Sequence, residues 1–198
     1  MLIVRRLAEE DIESASTVLA DAFEGYPFLD RAFDGARHDQ LAMRQLMFRV
    51  GTTFRVKTDR PALVAILDGQ LVGATTLTRS DDERADSDQD YWQPLLDAMS
   101  PAGLEVFDAY DAAQSTFRVH EPHLYVVAIG VRPDVHGKGI GRALLNGAAS
   151  LAREYGFDWV ALDTHEEANV VKYQRLGFEY LGVGDVMGLP NWFFRKAV

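Results

Sequence analysis

Three glycines fall within five positions of the stretch VRPDVHGKGIGRALL (131–145), and an apolar helical repeat starts straight after them. Gly137, Gly139 and Gly141 cost backbone entropy and lower helix propensity at a helix start. What they offer in return is bare backbone. The first turn of a helix carries unpaired N–H groups and the positive end of the macrodipole, which together hold an anion, a phosphate above all. Two common phosphate motifs fail here on their spacing. A P-loop lysine is followed by Ser or Thr, whereas Lys138 is followed by Gly139. A dinucleotide fingerprint needs a glycine three past Gly141, where Leu144 stands.

The elements that must position this turn alternate between strand and helix. LIVRRL (2–7) is an apolar strand, and Ile12, Ala15, Leu19, Ala22 and Phe23 recur at helical spacing before Pro27 breaks the helix. Met43, Leu46, Met47, Val50 and Phe54 mark a second helix. ALVAIL-DG-QLVGATTLT (62–78) is a hairpin around Asp68-Gly69. The acidic stretch 79–90 reads as a loop. After it, Trp92, Leu95, Leu96 and Met99 form a helical stripe, and Ser100-Pro101 caps a further helix over 101–116. The helices of 88–118 read as an insertion within one domain spanning 1–198, placed to cover a pocket. LYVVAI (124–129) is a strand buried on both faces. It is followed by the glycine turn, a helix carrying Ile140, Leu144, Ala148, Leu151 and Tyr155, and a strand WVALD (159–163). A short helix (166–176) ends at Gly177, and FEYLGV and NWFFRK close the chain as a hairpin around an apolar loop, GDVMGLP.

Composition narrows the classes of function. With 47% hydrophobic and 25% charged residues among 198, the chain supports one well-buried core. The absence of cysteine excludes disulfides and thiolate chemistry. No apolar run is long enough to cross a bilayer and no signal peptide opens the sequence, so a cytoplasmic protein with no membrane partner is expected. A net charge of −10 argues against nucleic acid and suits a cationic small molecule. His38, His120, His123, His136 and His165 show neither H-x-x-x-H spacing nor a companion carboxylate cluster, so no metal is expected.

His136-Gly137-Lys138-Gly139-Ile140-Gly141, with VRPD before it and RALL after, resembles the acetyl-CoA loop of the GNAT acetyltransferase superfamily, Q/R-x-x-G-x-G/A. The departure is His136, where the family carries Gln or Arg. NVVKYQRLGF (169–178) resembles the family's N-x-x-x-Y-x-x-x-G-F helix and strand. The order of elements matches over most of the chain. HLYVVAIGVRPDVHGKGIG and the ending GLPNWFFRK are most similar to the puromycin N-acetyltransferase type.

The resemblance implies an α/β fold with a GNAT-type central mixed sheet flanked by helices and a helical insertion between strands 3 and 4. It implies acetyl transfer from acetyl-CoA to a primary amine, by direct attack in a ternary complex. The pyrophosphate then sits on the amides of 136–142, aided by Lys138 and Arg142. Pantetheine pairs with the backbone of Ile129 and Val131, and Gly130 between them permits a bulge that splays the strands. Tyr173 takes the place of the family's general acid, and Asn169, one helical turn earlier, faces the cofactor with it. His123 aligns with the family's base position on the central strand, with Tyr125 on the same strand face. Glu24 and Tyr26 fall where the family holds its acceptor, here a small cationic amine drawn by an acidic rim and aromatic walls. His165, at the end of ALDTH, falls near the sheet opening and reads as a surface residue, and the Trp92 stripe reads as packing, or as packing and pocket wall together if those helices cover the acceptor. Two other readings stay open: a non-catalytic acyl-CoA-binding module, and an enzyme using a longer acyl-CoA. A homodimer is left open as well.

Overall fold

The computed structural model describes residues 1–82, 88–116 and 119–198. In chain order the strands are β1 (Leu2–Arg6), β2 (Ala62–Leu67), β3 (Gln70–Arg79), β4 (His123–Val131), β5 (Trp159–Thr164), β6 (Glu179–Val186) and β7 (Leu189–Ala197). The helices are α1 (Ile12–Ala22), α2 (Pro27–Ala32), α3 (Gln40–Lys57), α4 (Asp88–Ala98), α5 (Pro101–Thr116), α6 (Ile140–Glu154) and α7 (Glu167–Arg175). The strands form one sheet in the order β1-β2-β3-β4-β5-β7-β6, with β4 and β5 parallel and the other neighbours antiparallel. The mixed sheet with α4 and α5 between strands 3 and 4 is the architecture expected. Residues 83–87 of the acidic stretch and 117–118 at the end of the insertion lie outside the described residues.

Each face of the sheet has its own core. On one, Ile140, Leu144, Ala148 and Leu151 of α6 pack on Leu124, Val126, Val160 and Leu162. This is the periodicity read from the sequence, and every one of these side chains is buried. On the other face, Leu19, Phe28, Met43, Phe48, Leu95 and Met99 bring α1 to α4 together over Val64, Ala74 and Ala128. Ser100 caps α5 as expected: its Oγ accepts from the Gly103 amide at 3.1 Å and donates to the Asp34 carbonyl at 2.8 Å. A Cβ on Gly103 would lie 2.2 Å from the Ala32 carbonyl oxygen, so only glycine lets α5 lie this close to α2.

Parallel pairing of β4 with β5 runs only from His123↔Trp159 to Val126↔Leu162. Past that point, residues 127–131 make no ladder with β5, and the sheet opens. The irregularity that accompanies the opening is at Val127, which the β3–β4 register skips between Val126 and Ala128. Gly130 was expected to provide the bulge, and it does not. Its role is close approach, because a Cβ there would stand 2.8 Å from the Ala22 Cβ and 3.2 Å from Leu19 of α1. The bulge also reverses the faces of β4: Leu124 and Val126 join the α6 core before it, whereas Ala128 joins the α1–α5 core after it.

Two further expectations change. Pro27 does not end α1, which stops at Ala22, ahead of the turn at Gly25; it instead starts α2 from its first position, where a missing N–H costs nothing. The apolar loop expected around GDVMGLP is mostly strand: β6 runs to Val186, β7 starts at Leu189, and only Met187 and Gly188 turn between them. Both have positive φ, 53° and 86°, and the Asp185 carboxylate accepts from the Gly188 amide at 2.9 Å.

Candidate active site

The opening between β4 and β5 leads into a cavity of about 740 Å³. Its floor is the unladdered part of β4 from Val127 to Val131. Tyr26 and Phe28 come from the chain around the start of α2, and Trp92 and Tyr110 from the inserted helices. Asp163 and His165 come from the end of β5, and Asn169 and Tyr173 from α7. The inserted helices therefore do form a wall of this space, and Trp92 both packs on Phe54 (ring centroids 5.7 Å apart) and lines it.

The glycine turn stands at the cavity's edge. Gly137 and Gly139 have φ of 81° and 77°, and the space a Cβ would enter is open at both. Gly139 is the N-cap residue of α6 and, having no side chain, leaves the first amides of the helix without a cap from that position. Ile140 buries its side chain in the α6 core and offers only its backbone. Lys138 and Arg142 are exposed around the turn. Arg142 also borders a small second pocket with Arg175 and Lys196. His136 lines the cavity and its Nε2 lies 2.9 Å from the Val131 carbonyl, so that nitrogen carries the hydrogen and donates. One of the two backbone positions expected to meet pantetheine is thus already held from within the chain.

Tyr173 projects from α7 among Phe178 and Phe194, with ring centroids 5.8 and 5.5 Å away. Its hydroxyl makes no hydrogen bond among the described residues, and it faces the cavity. Burial first, and the negative charge of Asp163 second, push its pKa well above that of a free phenol, so the O–H stays protonated at neutral pH. Asn169 faces the same space, donating from Nδ2 to Thr164 Oγ1 at 3.2 Å and accepting from Lys172 Nζ at 3.0 Å. Glu24 is exposed at the rim, and Tyr26 accepts the His165 amide on its hydroxyl oxygen at 2.8 Å.

His123 and Tyr125 do not line the cavity. They share a strand face, with rings 6.3 Å apart, but both precede the bulge. The His123 Nδ1 lies 2.8 Å from the Glu121 carbonyl, away from Tyr173. Tyr125 instead supports a residue that sequence reasoning passed over. Its hydroxyl donates to Asp163 Oδ1, which also accepts from the Tyr110 hydroxyl at 3.0 Å. Gln114 Nε2 donates to both phenols, at 2.5 Å to Tyr110 and 2.8 Å to Tyr125. Burial pushes the Asp163 carboxyl up, while the phenol donors, Asn191 and His165 pull it back. Burial, followed by that carboxylate's charge, raises both tyrosines. The only sequence signal was a charge ending an otherwise apolar strand, WVALD.

His165 is buried, contrary to the surface position expected of it. Its ring stacks on Phe28 at 5.1 Å and 12°, and its Nδ1 lies 2.9 Å from the Pro190 carbonyl. Arg55 lines the opposite wall, held by the Leu77 and Gly51 carbonyls at 3.2 and 3.0 Å. Burial, then Arg60, lower its pKa to about 10 against the pull of Asp82.

Comparison with known proteins agrees with this architecture. An agmatine N-acetyltransferase structure superposes with a TM-score of 0.69 at 18% identity, covering 100% of this chain and 99% of that one. A polyamine N-acetyltransferase of Drosophila melanogaster, which forms N-acetylagmatine, gives 0.67 at 16% identity, with full coverage of both chains. The C-terminal condensation domain of Ebony, solved with beta-alanyl-dopamine, gives 0.77 at 12% identity over 100% and 99% of the two chains. At these identities the likeness is one of fold. The sequence itself decides the family: residues 26–178 match the profile of the Acetyltransferase (GNAT) family, and this chain belongs to it.

Proposed function

We propose that the protein transfers the acetyl group of acetyl-CoA to a small cationic amine, by direct attack within a ternary complex. The observation that carries this reading is the single cavity shared by the unladdered edge of β4, the residue opening the glycine turn, Tyr173 and the Asp163 cluster. In this reading the pyrophosphate sits on the amides of 136–142, flanked by Lys138 and Arg142. The pantetheine arm, which resembles an extended peptide, runs along β4 near Ile129 and Val131, with Asn169 facing it. The thioester then lies within reach of Tyr173, whose O–H protonates the departing sulfur.

An ammonium group entering from the other side meets Asp163, and aromatic rings of Tyr26, Phe28 and Tyr110. Glu24 adds negative charge at the rim, and the net charge of −10 raises the local concentration of cations. The choice of a small amine over a protein tail rests on the cavity itself, walled by the inserted helices and by aromatic rings, and on the resemblance of HLYVVAIGVRPDVHGKGIG to the puromycin N-acetyltransferase type.

CoA and acetyl-CoA are expected to stabilise the fold by about 2.7 kcal/mol at a hundredfold excess over Kd, read by thermal unfolding. ATP and NAD, which lack the pantetheine arm, are expected to give much smaller shifts. Equal shifts for CoA, ATP and NAD, or none for CoA, would remove the cofactor assignment.

A further inference from the structure

We propose that His165 is the base that takes the proton from the acceptor's ammonium group, through Nε2. The inference rests on the acetyltransferase reading above and deepens it by giving a role to a histidine that the sequence placed near the sheet opening but read as a surface residue.

The Pro190 carbonyl can only accept a hydrogen bond, so the His165 Nδ1, 2.9 Å from it, carries the hydrogen. In the neutral ring Nε2 is then a bare lone pair. That atom is buried and has no hydrogen-bond partner among the described residues. A buried acceptor left unpaired is costly, which calls for a partner that comes and goes. His165 lines the same cavity as Tyr173, so the partner arrives from the acceptor side. Phe28, stacked at 5.1 Å, and Tyr26, edge-on at 6.0 Å, fix the ring plane, and Tyr110 closes it at 5.9 Å.

The groups seen to act on the ring are Asp163, two residues earlier at the end of β5, the Pro190 carbonyl of β7, and the rings of Tyr26 before α2 and Tyr110 on α5. Asp21, Glu24, Arg55, Asp108, His136, Glu166, Lys172 and Tyr173 are the other titratable residues that line the shared cavity. Burial lowers the His165 pKa below 6.5 and Asp163 opposes it, so the ring is neutral at rest and its cation is supported once formed.

Protons and electrons balance as follows. Nε2 accepts one proton from R–NH3⁺, giving imidazolium and R–NH2. The nitrogen lone pair attacks the thioester carbonyl, forming a C–N bond. The C–S bond breaks, and the sulfur receives the Tyr173 proton as CoA-SH. The amide nitrogen's surplus proton returns to the tyrosinate, and imidazolium releases its own to solvent.

His165→Asn is the informative variant, because the Asn amide N–H replaces the Nδ1 donor to Pro190 while Nε2 is lost together with the ring contacts to Phe28, Tyr26 and Tyr110. In the wild type, kcat/KM is expected to rise with pH on the acid side, with an apparent pKa below 6.5. In His165→Asn that limb disappears and kcat falls about 10²-fold or more, while the stabilisation by CoA is unchanged. A variant within twofold of wild type that keeps the acid limb overturns the proposal. Nitrogen NMR of the ring gives a readout independent of turnover: the neutral Nδ1–H tautomer with a pKa below 6.5 supports the assignment, and an Nε2–H tautomer overturns it. Failure of the wider reading would show separately, as loss of CoA binding by the wild-type protein.

Discussion

Tyr173→Phe lowers kcat by about 10²–10⁴ while leaving the stabilisation by CoA intact. The expectation follows from what the substitution leaves in place. The ring keeps its contacts with Phe178 and Phe194, and the hydroxyl has no hydrogen bond to lose among the described residues. Packing is therefore nearly unchanged, and the only group removed is a protonated O–H facing the cavity. Steady-state kinetics with acetyl-CoA and an accepted amine measures it. An unchanged kcat would make Tyr173 a core aromatic and nothing more.

Asp163→Asn raises KM for the amine by about tenfold to a hundredfold, with CoA affinity preserved. The amide keeps an oxygen to accept from Tyr110 and Tyr125, so the network with Gln114 retains its shape. What goes is the negative charge. A hydrogen bond to a charged group contributes roughly 1.5–3 kcal/mol, and the fold-change follows from it. The pH dependence has a definite sign. Burial raises the Asp163 pKa, so amine affinity falls as pH drops through that raised value, and the variant loses this dependence. Initial rates against amine concentration at several pH values decide it, and a KM within twofold of wild type would detach Asp163 from the acceptor.

These two residues mark the difference between what the sequence made legible and what it did not. Tyr173 was readable because its neighbours Asn169, Gly177 and Phe178 form a local pattern. The glycine turn and α6 were equally local, since positive φ and a 3.6-residue apolar period are properties of short stretches. Asp163 and His165 depend on partners far along the chain: Tyr110 on the inserted helix, Tyr125 on β4 and Pro190 on β7. No short-range rule joins them.

The bulge bears on why His123, the expected base, does not line the cavity. Val126, Val127 and Ala128 are all apolar, so a reversal of faces between them leaves no trace in the pattern. Alignment with the family's base position points to His123, and alternation puts Tyr125 on the same face, whereas the residues of β4 that line the cavity run from Val126 to Val131. The hairpin loop was overestimated for a related reason. Met187 adopts positive φ as a non-glycine residue, and the turn gave no Asn-Gly or Asp-Gly signal of its own.

Release of free CoA thiol from acetyl-CoA, measured against a panel of small amines and an intact protein substrate, tests the central claim most directly. The account predicts thiol release that depends on a small cationic amine, with the acetyl group recovered on its nitrogen. Thiol release only with the intact protein, or CoA binding without release for any amine in the panel, would contradict it.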